Sequence, residues 1–128
     1  MSRTRRTAIA LTAAAAALLA ASPAAHADEG GTSGGITVVA SGSGGHVRNV
    51  TAGVSTLSTY LSFYGYFRVF GPDYSDVSPT QKWGVGLIYI TPVNRDYADG
   101  RQHCSEGWSL QDDGTFKLLG RPCVAHPL

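Results

Sequence analysis

The chain has few of the residues from which active sites and metal sites are usually built. It contains two cysteines, four histidines and one methionine, and 15% of its residues are charged. The cysteines do not form a C-x-x-C pair, and no G-x-S-x-G motif surrounds a serine. Neither a dithiol redox site nor a hydrolase nucleophile is therefore indicated. We predict no catalytic residues, no metal, no cofactor and no enzymatic activity.

The histidines and acidic residues do not suggest a metal site either. His46, His103 and His126 are far apart along the chain, and we predict that they lie at the surface. Asp112-Asp113-Gly114 lacks the further oxygen ligands that a calcium loop places at fixed spacing. An Asp-Gly pair suits a tight β-turn, so this segment is predicted to be a hairpin turn.

A long apolar run occurs only near the N-terminus. Three arginines precede an apolar stretch at 8–21, and residues 22–27 end in the small-x-small pattern after which signal peptidases cut. The stretch is shorter than the roughly 20 residues that cross a bilayer. We predict that residues 1–27 are a signal peptide and that the mature protein is secreted and extracellular. Arg5-Arg6 leaves the general and the twin-arginine export routes open.

Removal of residues 1–27 would reverse the sign of the net charge. The full chain has ten basic and nine acidic residues, whereas the chain from residue 28 onward has seven basic and nine acidic ones. A mildly acidic surface argues against nucleic acid and anionic lipid as partners. We predict no nucleic-acid binding, and no membrane association after cleavage.

Residues 28–45 are rich in glycine and serine, a composition typical of a flexible arm. Within this arm lies a β-branched run, Ile36-Thr37-Val38-Val39-Ala40, which can form a strand. One interpretation is that the run binds a partner by strand addition, with Ile36, Val38 and Ala40 facing the partner's core. The other is that the run is the first strand of the chain's own domain. Both interpretations remain open.

Residues 46–128 alternate strand-forming segments with turn signals and contain no long helical pattern. This arrangement predicts a small all-β domain, an antiparallel sandwich or barrel-like fold of about six to seven strands. A disulfide between Cys104 and Cys123 is expected in an oxidising compartment. It would close a loop of about 20 residues, worth roughly 3 kcal/mol. The predicted core residues are Tyr66, Phe67, Val69, Phe70, Trp83, Leu87, Ile88, Ile90 and Trp108.

Aromatic residues crowd the segment 60–70. Strand alternation places Tyr64, Tyr66 and Phe70 on one face and Phe63 and Phe67 on the other. If only one face is buried, the first three are candidate surface aromatics, available to a protein or a glycan. The alternative, that a two-layer sandwich buries both faces here, is equally open.

The second half of the chain carries an ordered set of short motifs. They are Tyr66-Phe67, Gly71-Pro72, Ser78-Pro79-Thr80, Trp83, Cys104, Trp108 and Gly120-Arg121-Pro122-Cys123. The set resembles small secreted actinobacterial, streptomycete-like proteins. In size and layout the chain is also similar to the adaptor subunit of the umbrella toxin particles of streptomycetes. That resemblance implies a secreted β protein that joins a toxin-bearing stalk to lectin-bearing subunits through an extended N-terminal segment. It assigns no role to any single residue.

We therefore expect a secreted, non-catalytic protein–protein interaction module, an adaptor in an extracellular antibacterial toxin complex that docks by its N-terminal strand. A small protease or hydrolase inhibitor that presents residues 72–80 or 93–101 is one alternative. A carbohydrate-binding module that uses the surface aromatics is the other.

Overall fold

The computed structural model describes residues 27–57 and 61–126. The predicted signal peptide, apart from Ala27, lies outside these ranges. The described residues form ten strands and no helix. The strands are β1 (Ala27–Ser33), β2 (Ile36–Ser43), β3 (His46–Val54), β4 (Ser62–Phe70), β5 (Ser75–Val77), β6 (Gln81–Gly84), β7 (Ile88–Asp96), β8 (Gln102–Leu110), β9 (Phe116–Gly120) and β10 (Cys123–Ala125).

The strands form two antiparallel sheets that pack face to face. Sheet A has the order β1-β2-β3-β7, and sheet B the order β10-β8-β4-β5. In sheet B, β6 pairs with β4 beside β5, and β9 pairs with β8 beside β10. The predicted all-β sandwich is confirmed. The strand number exceeds the prediction because short segments such as β5 and β10 pair with long neighbours.

The core lies between the sheets and is built from alternate residues of each strand. Ile36, Val38 and Ala40 of β2 have no exposed surface, and neither has Phe67 of β4. Trp83 is also buried, and its indole N–H donates to the Gly65 carbonyl at 3.1 Å. This bond satisfies the one polar group of the indole, so its burial carries no unpaired donor.

Two glycine turns join the strands of sheet A. Gly34, with φ of 58°, lies between β1 and β2, and Gly44, with φ of 59°, lies between β2 and β3. A Cβ on Gly34 would clash with the Leu119 carbonyl oxygen, whereas one on Gly44 would meet nothing within 4 Å. The first turn therefore needs glycine for both backbone angle and close packing, and the second for backbone angle alone.

The structure corrects the expected arm at residues 28–45. These residues form β1, β2 and their turns, and the predicted boundary at 45/46 falls inside the β2–β3 hairpin. The glycines at 34 and 44 act as turn residues, and the run from Ile36 to Ala40 pairs on both sides within sheet A. The second interpretation of this run is the one observed: it is a strand of the chain's own domain.

The predicted core is correct for Phe67, Val69 and Trp83 and wrong for three aliphatic residues. The exposed fractions of Leu87, Ile88 and Ile90 are 48%, 57% and 50%. In β7 the buried face is formed instead by the residues that alternate with the isoleucines, such as Thr91. The core prediction is also wrong for Tyr66, Phe70 and Trp108, which are half-buried on the outer side of sheet B and do not belong to the core between the sheets.

The Asp112-Asp113-Gly114 segment forms the predicted hairpin turn between β8 and β9. Gly114 has φ of 86° and donates its N–H to the Gln111 carbonyl at 3.0 Å. The Asp113 carboxylate accepts the backbone N–H of Thr115 at 3.0 Å. Asp113 therefore shapes the turn through its hydrogen bond to the neighbouring backbone.

Candidate binding face

One surface of the sandwich combines aromatic and charged side chains. It is the side of sheet B that points away from sheet A, and we refer to it as the outer face of sheet B. Alternation along β4, β8 and β9 places its residues there, because successive side chains of a strand point to opposite faces. The outer face includes Tyr64, Tyr66, Arg68, Phe70, Lys82, Glu106, Trp108, Phe116 and Leu118, together with Arg121, which follows β9 and pairs with Glu106.

The aromatic half of this face is centred on Tyr66. Tyr66 is directly opposite Trp108 across the β4–β8 pair, and the two rings are 6.4 Å apart with an interplanar angle of 18°. Phe116 approaches Tyr66 at 4.9 Å with an angle of 68°. Tyr64, one step along β4, is 54% exposed. Neighbouring rings thus hold each other in place before any ligand arrives, which lowers the entropic cost of binding.

The charged half is centred on Glu106, whose side chain is 1% exposed. Its Oε1 accepts a hydrogen bond from Nη1 of Arg68 at 3.0 Å, and its Oε2 accepts one from Nε of Arg121 at 2.6 Å. Burial raises the pKa of Glu106, but the hydrogen bonds from Arg68 and Arg121 outweigh burial, so the pKa is lowered overall. Glu106 is therefore an anion that fixes two guanidinium groups.

Both arginines keep part of their surface in solvent while they pair with Glu106. The side chains of Arg68 and Arg121 are 40% and 52% exposed. Arg68 also lies 4.3 Å from the centre of the Phe70 ring and donates from Nε to Ser75 Oγ at 3.1 Å. The guanidinium is fixed by an anion, a ring and a hydroxyl, and its remaining N–H donors can reach a ligand.

The predicted disulfide supports the charged half. Cys104 and Cys123 are opposite each other in the β8–β10 pair, with Cα atoms 4.1 Å apart. The bridge is confirmed. Arg121 lies two residues before Cys123, and Ser105 N–H donates to the Pro122 carbonyl at 3.0 Å. The disulfide and this hydrogen bond together hold the turn that contains Arg121, and Arg121 therefore lies next to Glu106.

A second polar cluster lies inside the sandwich. His103 and His126 are 0% and 4% exposed, so the prediction of surface histidines is wrong for both. Tyr74 OH lies 2.7 Å from Nδ1 of His103, and Tyr97 packs edge-on against the same ring at 4.8 Å. Burial, and then the neighbouring His126, lower the pKa of His103 to about 4. His103 is therefore uncharged near neutral pH, and its ring is enclosed by Tyr74, Tyr97 and His126.

The described residues do not complete a metal site around this pair. Within residues 27–57 and 61–126 no group of three or more His, Cys, Asp or Glu side chains is placed to hold an ion. The same part of the chain has no helix that is long and apolar enough to cross a membrane.

The structure separates the two sets of predicted binding residues. Tyr64, Tyr66 and Phe70 lie together on the outer face of sheet B. In the Ile36–Ala40 run, Ile36, Val38 and Ala40 are buried in the core, whereas Thr37 and Val39 are half-buried on the far side of sheet A. The three side chains that the strand-addition interpretation directs into a partner's core therefore face the chain's own core.

Several residues of the outer face were not identified from the sequence. Arg68, Glu106, Trp108 and Arg121 belong to it, and Trp108 was placed in the core. Alternation along 102–110 groups Glu106 and Trp108 on one side, which was an available signal. The pairing of β4 with β8 was needed to bring Arg68 and Tyr66 beside them.

No protein-family model, no curated protein and no solved structure matches the chain. The resemblance to streptomycete-like secreted proteins and to the umbrella-particle adaptor stays a prediction.

Proposed function

We propose that this protein is a secreted, non-catalytic interaction module that binds a protein partner through the outer face of sheet B. The observation that carries the proposal is the buried Glu106 that holds Arg68 and Arg121 at the border of a packed aromatic cluster. The buried carboxylate holds the two half-exposed arginine side chains in fixed positions before a partner binds. Such preorganisation lowers the entropic cost of binding.

The composition of the face supports a protein ligand. Tyrosine, tryptophan, phenylalanine and arginine are the residues enriched at the centres of protein–protein interfaces, where they carry most of the binding energy. Trp108 and Tyr66 are half-buried by their neighbours, so a partner can cover them without ordering them first. The face thus combines large apolar area with few rotatable groups.

The charge of the face suggests the character of the partner. Arg68, Arg121 and Lys82, which is opposite Tyr64 in the β4–β6 pair, outnumber the single acid Glu106. The chain from residue 28 onward has more acidic than basic residues, so this face has the opposite sign to the rest of that chain. A partner with acidic residues around an apolar centre would complement it and would be steered toward it.

The docking route differs from the one expected from the sequence. Residues 36–40 cannot face a partner's core while they form the core of sheet A. We therefore place the partner on sheet B and retain the adaptor role in an extracellular toxin assembly as part of the proposal, supported by the resemblance in size and layout to the adaptor subunit.

The test is affinity purification of the tagged protein from culture supernatant, followed by quantification of binding to the partner that it retains. Trp108→Ala and Arg121→Ala should each weaken binding by at least about tenfold, the effect of losing an interface hot spot. Arg48→Ala removes an exposed arginine from β3 in sheet A and should leave binding unchanged. Equal retention by all three variants would show that the outer face is not the docking site.

A glycan is the second candidate ligand, favoured by the exposed ring of Tyr64. It ranks second because Trp108 and Phe116 already pack against Tyr66, which reduces the ring surface available for stacking on a sugar. Binding on a glycan array that is lost in Tyr64→Ala and kept in Arg121→Ala would favour the glycan over a protein partner.

The inhibitor alternative has less structural support. Residues 72–80 contain β5, which is paired to β4, and Ser78 is buried with its N–H donating to the Phe67 carbonyl at 2.9 Å. An inhibitory loop must extend freely into a protease cleft, and this segment is bound to the sheet.

A further inference from the structure

The edge of sheet A formed by β7 differs from both edges of sheet B. Each edge of sheet B is divided between two short strands, β5 with β6 and β9 with β10. In contrast, β7 is nine residues long and, within the described ranges, pairs only with β3. Its other side presents a row of backbone N–H and C=O groups, which is a template for a further strand.

Only half of this edge carries the features that prevent strand addition. The second half contains Pro92, a register shift, Asn94 with a positive φ of 52°, and the charged pair Arg95-Asp96. The first half, Ile88–Thr91, has no proline, no charge and no bulge, and its two isoleucines are at least half exposed. Native sheets normally protect such edges, so an unprotected segment indicates a place where another strand binds.

A cleft of about 220 Å³ lies at the seam between the two sheets, next to the Thr91 end of this segment. Asp76 of β5 and Tyr74 line one wall, and Thr91, Val93 and Arg95 of β7 line the other. A strand added to β7 would direct alternate side chains toward this seam, because strand side chains alternate between the two faces of a sheet. The cleft has room for one such side chain.

The charge in the cleft indicates which side chain fits. Oδ2 of Asp76 accepts hydrogen bonds from Tyr89 OH at 2.8 Å and from Thr91 Oγ1 at 3.0 Å. Its Oδ1 has no hydrogen-bond partner among the described residues. The guanidinium of Arg95 is paired with Asp73 at 3.0 Å. Asp76 is thus the uncompensated charge of the cleft, and a cationic side chain complements it.

We infer that the β7 edge and this cleft form a second binding site, which takes an extended segment of a partner protein that carries a lysine or arginine. The segment's backbone pairs with Ile88–Thr91, its basic side chain enters the cleft toward Asp76, and the apolar side chains on either side of it pack beside Ile88 and Ile90. This site is separate from the outer face of sheet B and does not depend on the function proposed for that face.

The inference is tested with two end-capped synthetic peptides of sequence Thr-Val-Lys-Val-Thr and Thr-Val-Glu-Val-Thr. Binding is followed by ¹⁵N chemical shifts and by protection of amide hydrogens from exchange. The lysine peptide should shift the amides of Ile88–Thr91 and bind at least about tenfold more tightly than the glutamate peptide, since the second places two carboxylates together.

Variants of the protein identify the groups responsible. Asp76→Asn keeps an acceptor for Tyr89 and Thr91 but removes the charge, and should reduce the lysine peptide's affinity about tenfold. Asp99→Asn removes an exposed acid outside the cleft and serves as the matched control. Ile90→Lys places a cation on the edge and should abolish binding. Thermal unfolding of each variant confirms that it is folded.

Three outcomes would overturn the inference. They are equal affinity for the two peptides, shifts confined to residues outside Ile88–Thr91, and no binding of the lysine peptide at about 1 mM. None of these outcomes bears on the outer face of sheet B, because the partner test there uses Trp108 and Arg121.

Discussion

The Nε2 atoms of His103 and His126 lie 2.9 Å apart in the interior of the sandwich. One ring donates a hydrogen bond to the other, and Nδ1 of His126 has no partner among the described residues. This contact joins β8 to the end of β10 at a position where neither ring reaches solvent. Protonation of the pair would therefore introduce a charge that water cannot stabilise.

The first prediction concerns stability in mild acid. The groups that face His103 are Tyr74, Tyr97 and His126, with Asp73 acting at longer range. The pKa of His103 is about 4 in the folded protein, below its ordinary value of 6.5, so the unfolded chain binds more protons between these values. The stability that His103 contributes is therefore fully present above pH 6.5 and is lost progressively as the pH falls toward 4.

We expect the free energy of unfolding to decrease by roughly 2 kcal/mol between pH 7 and pH 4.5. Urea denaturation at a series of pH values measures this change. His103→Phe removes the titrating ring and should flatten the profile over the same range, even if the variant is less stable throughout. A wild-type profile that is flat between pH 7 and 4.5 would contradict the prediction.

The second prediction concerns Glu106 and its two arginines. Glu106→Gln leaves Arg68 and Arg121 facing each other without the anion, and we expect a loss of about 1–2 kcal/mol. The loss stays below that of a fully buried charge because both guanidinium groups reach solvent. A double-mutant cycle of Glu106→Gln with Arg121→Ala should show coupling, whereas Glu106→Gln with Arg48→Ala should be additive.

As the pH falls, the contribution of Glu106 to stability changes in the direction opposite to that of an unpaired buried acid. Its lowered pKa means that its stabilising contribution is present above the pKa of the unfolded chain and is lost as the pH falls below it. Glu106→Gln should therefore be less sensitive than wild type to acidification below about pH 4.3. If wild type and Glu106→Gln gave identical profiles of unfolding free energy against pH in this range, the ion pairs of Glu106 would not contribute to stability.

The third prediction concerns the disulfide. Replacing both Cys104 and Cys123 by alanine should lower the free energy of unfolding by about 3 kcal/mol, because the unfolded chain gains conformational freedom. Since the bridge also anchors the turn of Arg121, the same variant should weaken partner binding at a temperature where it is fully folded. Urea unfolding and the binding assay, performed on one preparation, separate these two effects.

The fourth prediction compares two glycines with nearly the same backbone conformation. Gly34→Ala and Gly44→Ala both place a side chain at a φ near +58°, which costs about 1 kcal/mol. Only at Gly34 would the new Cβ also clash with the backbone of Leu119, which belongs to the other sheet. We expect Gly44→Ala to lose about 1 kcal/mol and Gly34→Ala to lose at least about 3 kcal/mol. Equal losses in thermal unfolding would show that the two sheets do not pack closely there.

Strand alternation predicted more of this molecule than any single motif did. The runs around Ile36 and along 64–70 grouped their residues correctly into two faces, and the grouping of Tyr64, Tyr66 and Phe70 agrees with their observed positions. Alternation has one limit: it shows which residues share a face, but not which face is buried. For 88–91 the choice of the isoleucines as the buried face was wrong, because Thr91 faces the core instead.

The β-branched run Ile36–Ala40 shows the same limit at the level of topology. Its composition predicts a strand, but a strand of this kind is equally suited to the chain's own sheet and to that of a partner. The glycines on either side are typical both of flexible linkers and of tight turns. Only pairing with β1 and β3 distinguishes the two, since that pairing uses the backbone groups on both sides of the run.

The sequence by itself determined the fold class, most of the longer strand segments and the disulfide, because these depend on local alternation, turn residues and the number of cysteines. The tertiary structure alone decided that His103 and His126 meet in the interior and that Glu106 meets Arg68 and Arg121 on the outer face. These contacts join residues far apart along the chain, and their free energy depends on the pairing of β4, β8 and β10. No local pattern records that pairing.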